Sequence, residues 1–389
     1  VKTSETKPKG TGLLIFLLIY FGVYGSMHVY FLWKTVQALQ VQGWPLLFLT
    51  GFLLLMLNGP ILVRALERND QILGATAMAW VSYTWMAFLL WFLSLGILRD
   101  LWNTGARTAA LIIPESYRLI IPPRPAYLII LVLVAAAAAW GILEGRDLRT
   151  ERVTIQTQFL APGSKPIRIA QISDVHLGLI EGQRRIDQVA SILFDEKPDL
   201  LLCTGDLMDG AIPHLNHMSA YFAAINPPLG KFAVTGNHEF YAGIRESLAF
   251  LKAAGFTVLR AESAAAGSLR IAGVDFPAER QTGQTAYTDE GAALDTGDEG
   301  FFTVLLKHSP DVKESSLGRF QLQLSGHTHK GQIFPFNYPV RLRYRYIAGL
   351  YDLGQGSKVY TSRGTGTWGP PLRLLAPAEV TIITIEAAG

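Results

Sequence analysis

The sequence predicts a chain in two parts, four membrane-spanning helices followed by a layered α/β domain, and three observations carry that expectation. Of 389 residues, 50% are hydrophobic and only 17% are charged, which is too apolar for an ordinary soluble enzyme of this size. The apolar excess is concentrated near the N-terminus, in runs long enough to cross a bilayer. Beyond it, short β-prone runs alternate with helical periodicity, and polar clusters rich in Asp, His and Asn sit at the ends of those runs. The expected organisation is a transmembrane domain over residues 1–145 and a catalytic domain over 146–389.

Leu13–Trp33, Leu46–Val63, Ile72–Leu98 and Tyr127–Leu143 hold almost no charge, and each approaches the roughly 17 to 25 residues that cross about 30 Å of hydrocarbon. The first run is longer than the apolar core of a signal peptide and lacks a small-x-small cleavage site, so it is expected to stay in the mature chain. Within the second, Asn58-Gly59-Pro60 interrupts the helical pattern, and a packing kink is the expected result. His28 lies in the first run, where a neutral imidazole bonded to a neighbouring helix is the preferred reading over a functional one. About eight Lys and Arg residues (Lys2, Lys7, Lys9, Arg64, Arg68, Arg146, Arg149, Arg152) flank one side of the spans and five (Lys34, Arg99, Arg107, Arg118, Arg124) the other. That bias places the N-terminus inside, and four spans then return the catalytic domain to the cytoplasmic face, with an extracytoplasmic domain as the alternative. Cys203 is the single cysteine, so no internal disulfide forms, and its apolar neighbours predict a buried, inert thiol. A net charge of +3 gives no footprint for nucleic acid.

After the polar connector 144–149, strands are expected at Arg152–Phe159, Ile167–Ile172, Leu200–Leu202, Phe232–Thr235, Leu269–Val274, Phe302–Leu306, Gln321–Leu324, Val359–Thr361 and Glu379–Ile385. Helical periodicity marks Arg185–Phe194 and Ile244–Ala254. The acidic stretch Ala278–Gly300 is weakly periodic and reads as a surface loop without a site.

The chemistry lies at the strand exits. Asp174 and His176 are two residues apart, and on an extended segment both side chains would face the same ion. Asp206 follows Gly205, which permits a close turn that aims a carboxylate able to bridge two ions. Asn237 offers an amide oxygen, and His308, His327 and His329 offer imidazole nitrogens, with His327 and His329 each able to reach a different ion. This mixed oxygen and nitrogen set suits two divalent metals of the Mn, Fe or Zn type. His214 and His217 match no ligand position and read as structural.

Asp174-x-His176, Gly205-Asp206-x-x-Asp209, Gly236-Asn237-His238-Glu239, His308 and Gly326-His327-x-His329 together resemble the calcineurin-like metallophosphoesterase superfamily across roughly residues 167–385. The resemblance implies a four-layer αββα sandwich. It also implies one metal on Asp174, His176, Asp206 and His329 and another on Asp206, Asn237, His308 and His327. By the same resemblance His238 lies beside the leaving group, where a protonated imidazole acts as general acid, and Asp209 and Glu239 either orient the ligands or stabilise their loops. Ser173–Gly178, Gly326–Gln332 and Ser362–Pro371, behind several apolar spans, resemble a bacterial membrane branch that includes lipid-linked UDP-2,3-diacylglucosamine pyrophosphatases. Lys330 departs from that branch, which has Gly there, and either contacts substrate phosphate or is solvated.

The resemblance places the chain in the bacterial cytoplasmic membrane, acting on a phosphorylated, lipid-linked substrate. Phe334 and Phe336, in the apolar segment Ile333–Val340, precede the alternating Arg341, Arg343 and Arg345, a pattern suited to acyl chains and anionic head groups. A strand packed against the membrane domain is the plainer alternative. Lys330, Phe334, Phe336 and Arg363 are the candidate substrate contacts. The competing functions are a phosphodiesterase for a soluble or cyclic nucleotide and a non-catalytic scaffold, the latter disfavoured because the full ligand set and His238 are present.

Overall fold

A computed structural model describes residues 9–210, 215–295 and 300–388. The chain divides into two compact units, Val1–Ala139 and Trp140–Gly389.

The first unit is helical. It holds α1 (Lys9–Leu39), α2 (Trp44–Arg68), α3 (Ile72–Ala110), a 3-10 turn at Pro114–Leu119 and most of α4 (Pro123–Arg146). Each expected span lies inside one of these helices. Among the described residues, α2, α3 and α4 are long and apolar enough to cross a membrane. The helix α2 continues through Pro60. Asn58 Nδ2 donates to Leu54 O at 2.8 Å, and a Cβ on Gly59 would come 2.4 Å from Ser82 Cβ. The Asn58-Gly59-Pro60 sequence therefore serves close approach of α2 to α3. His28 is buried with both nitrogens engaged, Nδ1 by Tyr24 O at 2.7 Å and Nε2 by Trp85 Nε1 at 3.1 Å. A ring that donates at Nδ1 and accepts at Nε2 is a neutral imidazole with nothing left to offer a ligand.

The second unit contains two six-stranded sheets. The first has the order β1 (Leu148–Thr157), β14 (Ala378–Ala387), β2 (Ile167–Ile172), β4 (Leu200–Cys203), β6 (Lys231–Ala233) and β7 (Thr257–Val258). The second runs β12 (Gly349–Gly354), β13 (Ser357–Thr361), β11 (Leu322–Ser325), β10 (Phe302–Leu306), β9 (Leu269–Gly273) and β8 (Glu262–Ala266). Two short strands, β3 (Leu177–Gly178) and β5 (Met208–Asp209), pair separately. β2, β4, β6 and β7 are parallel, as are β13, β11, β10 and β9. Their carboxyl ends are where an open α/β sheet presents its loops to a ligand.

Period-2 alternation divides the core. Ile169, Leu200 and Leu202 join Val304, Leu306, Leu322 and Leu324 in one cluster built from both sheets. Their neighbours Ala170, Ile172, Leu201 and Cys203 pack instead with α5 (Gln183–Glu196) through Val189 and Leu193, with Phe222 of α6 (Ser219–Ala223), and with the helix Ile244–Ala253 through Phe250 and Leu251. Cys203 sits in this cluster, where burial pushes its thiol pKa up and leaves it unreactive. Residues Ala278–Gly300 depart from the surface-loop expectation. They form short helices at Glu279–Thr282 and Glu290–Leu294, bury Ala293 and Leu294, and hold the buried Glu290 against Lys307 Nζ at 2.8 Å and Ser316 Oγ at 2.6 Å. Thr296–Glu299 lie outside the described residues.

Candidate metal centre

Five loops at the exits of β2, β4, β6, β10 and β11 bring the sequence-predicted ligands together. Asp174, His176 and His329 form one close group, and Asp206, His308 and His327 another, while Asp206 also lies within reach of His176 and His238. Within the first, His176 Nε2 lies 3.1 Å from His329 Nε2, which is 3.3 Å from Asp174 Oδ1. Within the second, His308 Nε2 is 3.1 Å from both His327 Nδ1 and Asp206 Oδ2. Asn237 Oδ1 is buried without a hydrogen-bond partner. Facing imidazole nitrogens, two carboxylates and an orphaned amide oxygen are a donor set that cations would satisfy, so these residues fit a pair of divalent metals.

The backbone produces this convergence differently from the expectation. Asp174 and His176 do not share a face through an extended period, because both have φ of 52°. Asp206, His327 and His329 are likewise left-handed, with φ of 53°, 69° and 48°. Such a conformation costs a non-glycine residue on the order of 1 kcal/mol or more and persists where the surroundings over-determine it. The supports are visible. Both oxygens of Asp174 accept from the backbone N–H of His327 at 3.0 Å, and Ser173 Oγ donates to Asp174 Oδ2 at 2.5 Å. A Cβ on Gly326 would fall 1.9 Å from Ser173 Oγ, so only glycine lets the two loops meet.

Glu239 is held by three backbone groups. It is fully buried and accepts backbone N–H bonds from Asp206 at 2.9 Å, Leu207 at 2.8 Å and Gly236 at 2.7 Å. It clamps the β4 and β6 exits through their backbones, and touches Asp206 only in that way. Burial, reinforced by the charge of Asp206, raises its pKa. Asp209 Oδ1 pairs with His238 Nδ1 at 3.0 Å. The His238 backbone N–H donates to Asp206 Oδ1 at 2.8 Å, at the start of α7 (Asn237–Ala242). Burial works to lower the His238 pKa, but the charge of Asp206 and the hydrogen bond to Asp209 outweigh it and hold the imidazole at about 9. His238 thus has Nδ1 committed to Asp209.

The other histidines divide by their neighbours. Burial, followed by the charge of His238, lowers His176 to about 3; burial, followed by His308, lowers His327 to about 4. His308 resists burial and rises to about 10 because Asp206 and Asp174 lie against it. Its Nδ1 is held by Thr204 O at 2.8 Å, so the proton on Nε2 is the one a cation would displace.

Two partners of these ligands escape the sequence reading. Tyr344 OH lies 2.8 Å from His327 Nε2, leaving Nδ1 to face the cluster. Arg373, from a different loop, reaches His329 Nδ1 at 3.2 Å. Neither carries a local signal, since both act across loops joined only by the fold. Around the mouth, Tyr241 and Trp368 place exposed rings 5.4 and 5.9 Å from the His238 ring. Lys330 is half-buried with φ of 54°, and Phe334 and Phe336 are exposed. Arg363 is not brought to the cluster, because its guanidinium is engaged by Glu151 at 2.8 Å, Glu379 at 2.5 Å and Pro377 O at 3.1 Å. His217 is exposed and stands apart from the ligands, and His214 lies outside the described residues.

Comparison with known proteins agrees with this geometry. The calcineurin-like phosphoesterase family matches residues 167–331. An uncharacterized metallophosphoesterase of Aquifex aeolicus is 42% identical over 64% of this chain and 97% of its own length. One from Helicobacter pylori is 35% identical over 63% of this chain, which spans 66% of that relative. A bovine transmembrane protein with metallophosphoesterase domain is 30% identical over 74% of this chain and 67% of its own length. The chain belongs to the calcineurin-like phosphoesterase family and is a metal-dependent phosphoesterase.

Proposed function

We propose that the protein is a membrane-bound hydrolase of a lipid-linked phosphoester or pyrophosphate, with two metals held as the sequence resemblance implies. The observation that carries the hydrolytic reading is the pair of ligand groups meeting at Asp206 with His238, oriented by Asp209, beside them. Asp174, His176, Asp206 and His329 would hold one ion, and Asp206, Asn237, His308 and His327 the other. A bound pair supplies a water of lowered pKa and positive charge against the phosphoryl oxygens. His238 delivers the proton on Nε2 to the leaving oxygen, and Asp209 fixes the ring by holding Nδ1. The two sheets with helices packed on their outer faces support the four-layer αββα arrangement.

The lipid part of the reading draws on the segment after the last metal ligand. It forms a short helix, Asn337–Arg343, and not a strand; Phe336, Tyr338 and Leu342 are exposed alongside Arg341, Arg343 and Arg345, with Leu342 at 91%. An exposed leucine and aromatic side chains among arginines suit acyl chains and anionic head groups. The apolar helices and the bovine relative's name support membrane attachment, the resemblance to a bacterial branch supports a bacterial cytoplasmic membrane, and the Lys and Arg bias supports a catalytic unit on its inner side. A second reading, hydrolysis of a soluble nucleotide, draws on Tyr241 and Trp368, whose exposed rings beside His238 could flank a planar leaving group.

The test is a hydrolysis screen of the detergent-purified protein with Mn, Fe or Zn against lipid and nucleotide phosphoesters. Replacing Phe334 and Phe336 by Ser is expected to slow long-chain substrates far more than short esters, since each buried methylene contributes about 0.8 kcal/mol. Equal slowing, or turnover confined to nucleotides, removes the lipid substrate. A C-terminal reporter is expected to behave as cytoplasmic; periplasmic activity reverses the orientation.

A further inference from the structure

We infer that Arg373 is a positioning residue for one of the two metals, and that the last turns of α4 hold it in place. This rests on the dinuclear reading above.

Arg373 is fully buried, yet none of its hydrogen-bond partners is a carboxylate. Apart from a 3.2 Å approach of Nη2 to His329 Nδ1, its guanidinium donates to backbone carbonyls of the loop after β13. Nε and Nη2 reach Gly366 O at 3.0 and 2.5 Å, Nη1 reaches Arg363 O at 2.9 Å and Ala376 O at 2.7 Å, and Nη2 reaches Gly364 O at 3.3 Å. Burying a cation with no carboxylate hydrogen-bonded to it is costly, and here the planar fork turns its donors onto one fixed loop shape.

The loop so fixed lies on the ligands of a single ion. Thr365 N–H donates to Ser173 O at 2.7 Å and Gly366 N–H to Asp174 O at 2.9 Å. A Cβ on Gly364 would be 3.1 Å from both Asp174 Cβ and His329 Nδ1. Asp174 and His329 belong to the same ligand group.

The far side of the loop rests on the end of α4, which belongs to the second unit. Arg373 N–H donates to Gly141 O at 2.9 Å, and Ala376 N–H to Glu144 Oε1 at 2.9 Å. A Cβ on Gly145 would lie 3.0 Å from Leu372 Cα, so the helix backbone is seated directly on the loop. A helix long and apolar enough for a membrane thus ends against these loops, and the brace passes from Glu144 through Ala376, Arg373 and Gly366 to the Asp174 backbone.

The test is the affinity of each ion in the full-length protein in detergent, read by competition with a chelator. Arg373→Ala is expected to weaken one of the two ions about 10- to 100-fold and leave the other within about threefold. Added guanidinium is expected to restore the lost affinity by refilling the space, whereas Arg373→Lys, with a point charge in place of the fork, is not expected to rescue it. Glu144→Ala, a milder change should Arg373→Ala fail to fold, is expected to weaken the same ion by a smaller factor. Equal loss of both ions with either variant, or no loss with Glu144→Ala, overturns the inference. Fewer than two ions in the wild type overturns instead the dinuclear reading on which it rests.

Discussion

His28 and His308 are both buried histidines, but the helical unit and the metal-bearing loops use them in opposite ways. His28 spends Nδ1 on Tyr24 O and Nε2 on Trp85, so its ring is complete within the helices. His308 spends only Nδ1, on Thr204 O, and turns Nε2 toward Asp206 and His327. The difference is in the second nitrogen. A buried imidazole with both nitrogens matched is architecture, and one whose free nitrogen meets other acceptors is a candidate ligand.

The sharpest way to break this comparison is at the shared carboxylate. Asp206→Asn is expected to abolish hydrolysis and lower bound metal, measured by elemental analysis beside turnover; full activity with one ion or none in the wild type would undo the two-metal assignment. Next comes His238→Ala, expected to cut turnover by about 10² to 10⁴-fold with metal content intact. That loss should shrink for p-nitrophenyl esters, whose leaving group needs no proton, and an equal loss on alkyl and aryl esters would count against His238 as the acid.

A smaller effect is expected from Tyr344→Phe, which removes the hydroxyl beside His327 Nε2 and nothing else. Loss of such an orienting contact typically costs about 10-fold or more in metal affinity, and a metal titration indistinguishable from wild type would show that His327 needs no such support. His28→Leu should leave metal content and turnover unchanged while costing about 1 to 3 kcal/mol of stability through the stranded Trp85 N–H. A change in metal content or turnover there would erase the distinction between the two histidines.

How much of this was legible in the sequence depends on where the partner of each residue lies. β2 and β10 fall where their apolar runs predict, because a buried parallel strand needs a compact apolar sequence and little else. β8, Glu262–Ala266, is missed because its alanines lack the branched or aromatic side chains that mark strands, and β12 because Gly349 and Gly354 read as turn residues. The ligand loops could be read because Asp174, Asp206, Asn237, His308, His327 and His329 each follow such a run within a few residues. The left-handed backbone of five candidate ligands could not, since φ at Asp174 or His329 is imposed by neighbouring loops. Glu290 was unreadable for a similar reason: an acidic residue in a weakly periodic stretch looks solvated until Lys307 and Ser316, far along the chain, are found against it.

The place of β14 bears on how the protein is made. Among the described residues β1 pairs only with β14, which separates it from β2, and Gln156 and Glu386 meet across that pair from 230 residues apart in sequence. At a synthesis rate of about 5 to 20 residues per second, β1 waits roughly 10 to 50 s for its partner, and β2 exposes an open edge for as long. The helices of the first unit are complete throughout that interval, whereas the first sheet cannot close until the strand at its interior arrives. A nascent chain stalled before Ala378 should therefore be open to added protease after the helices while they themselves resist it.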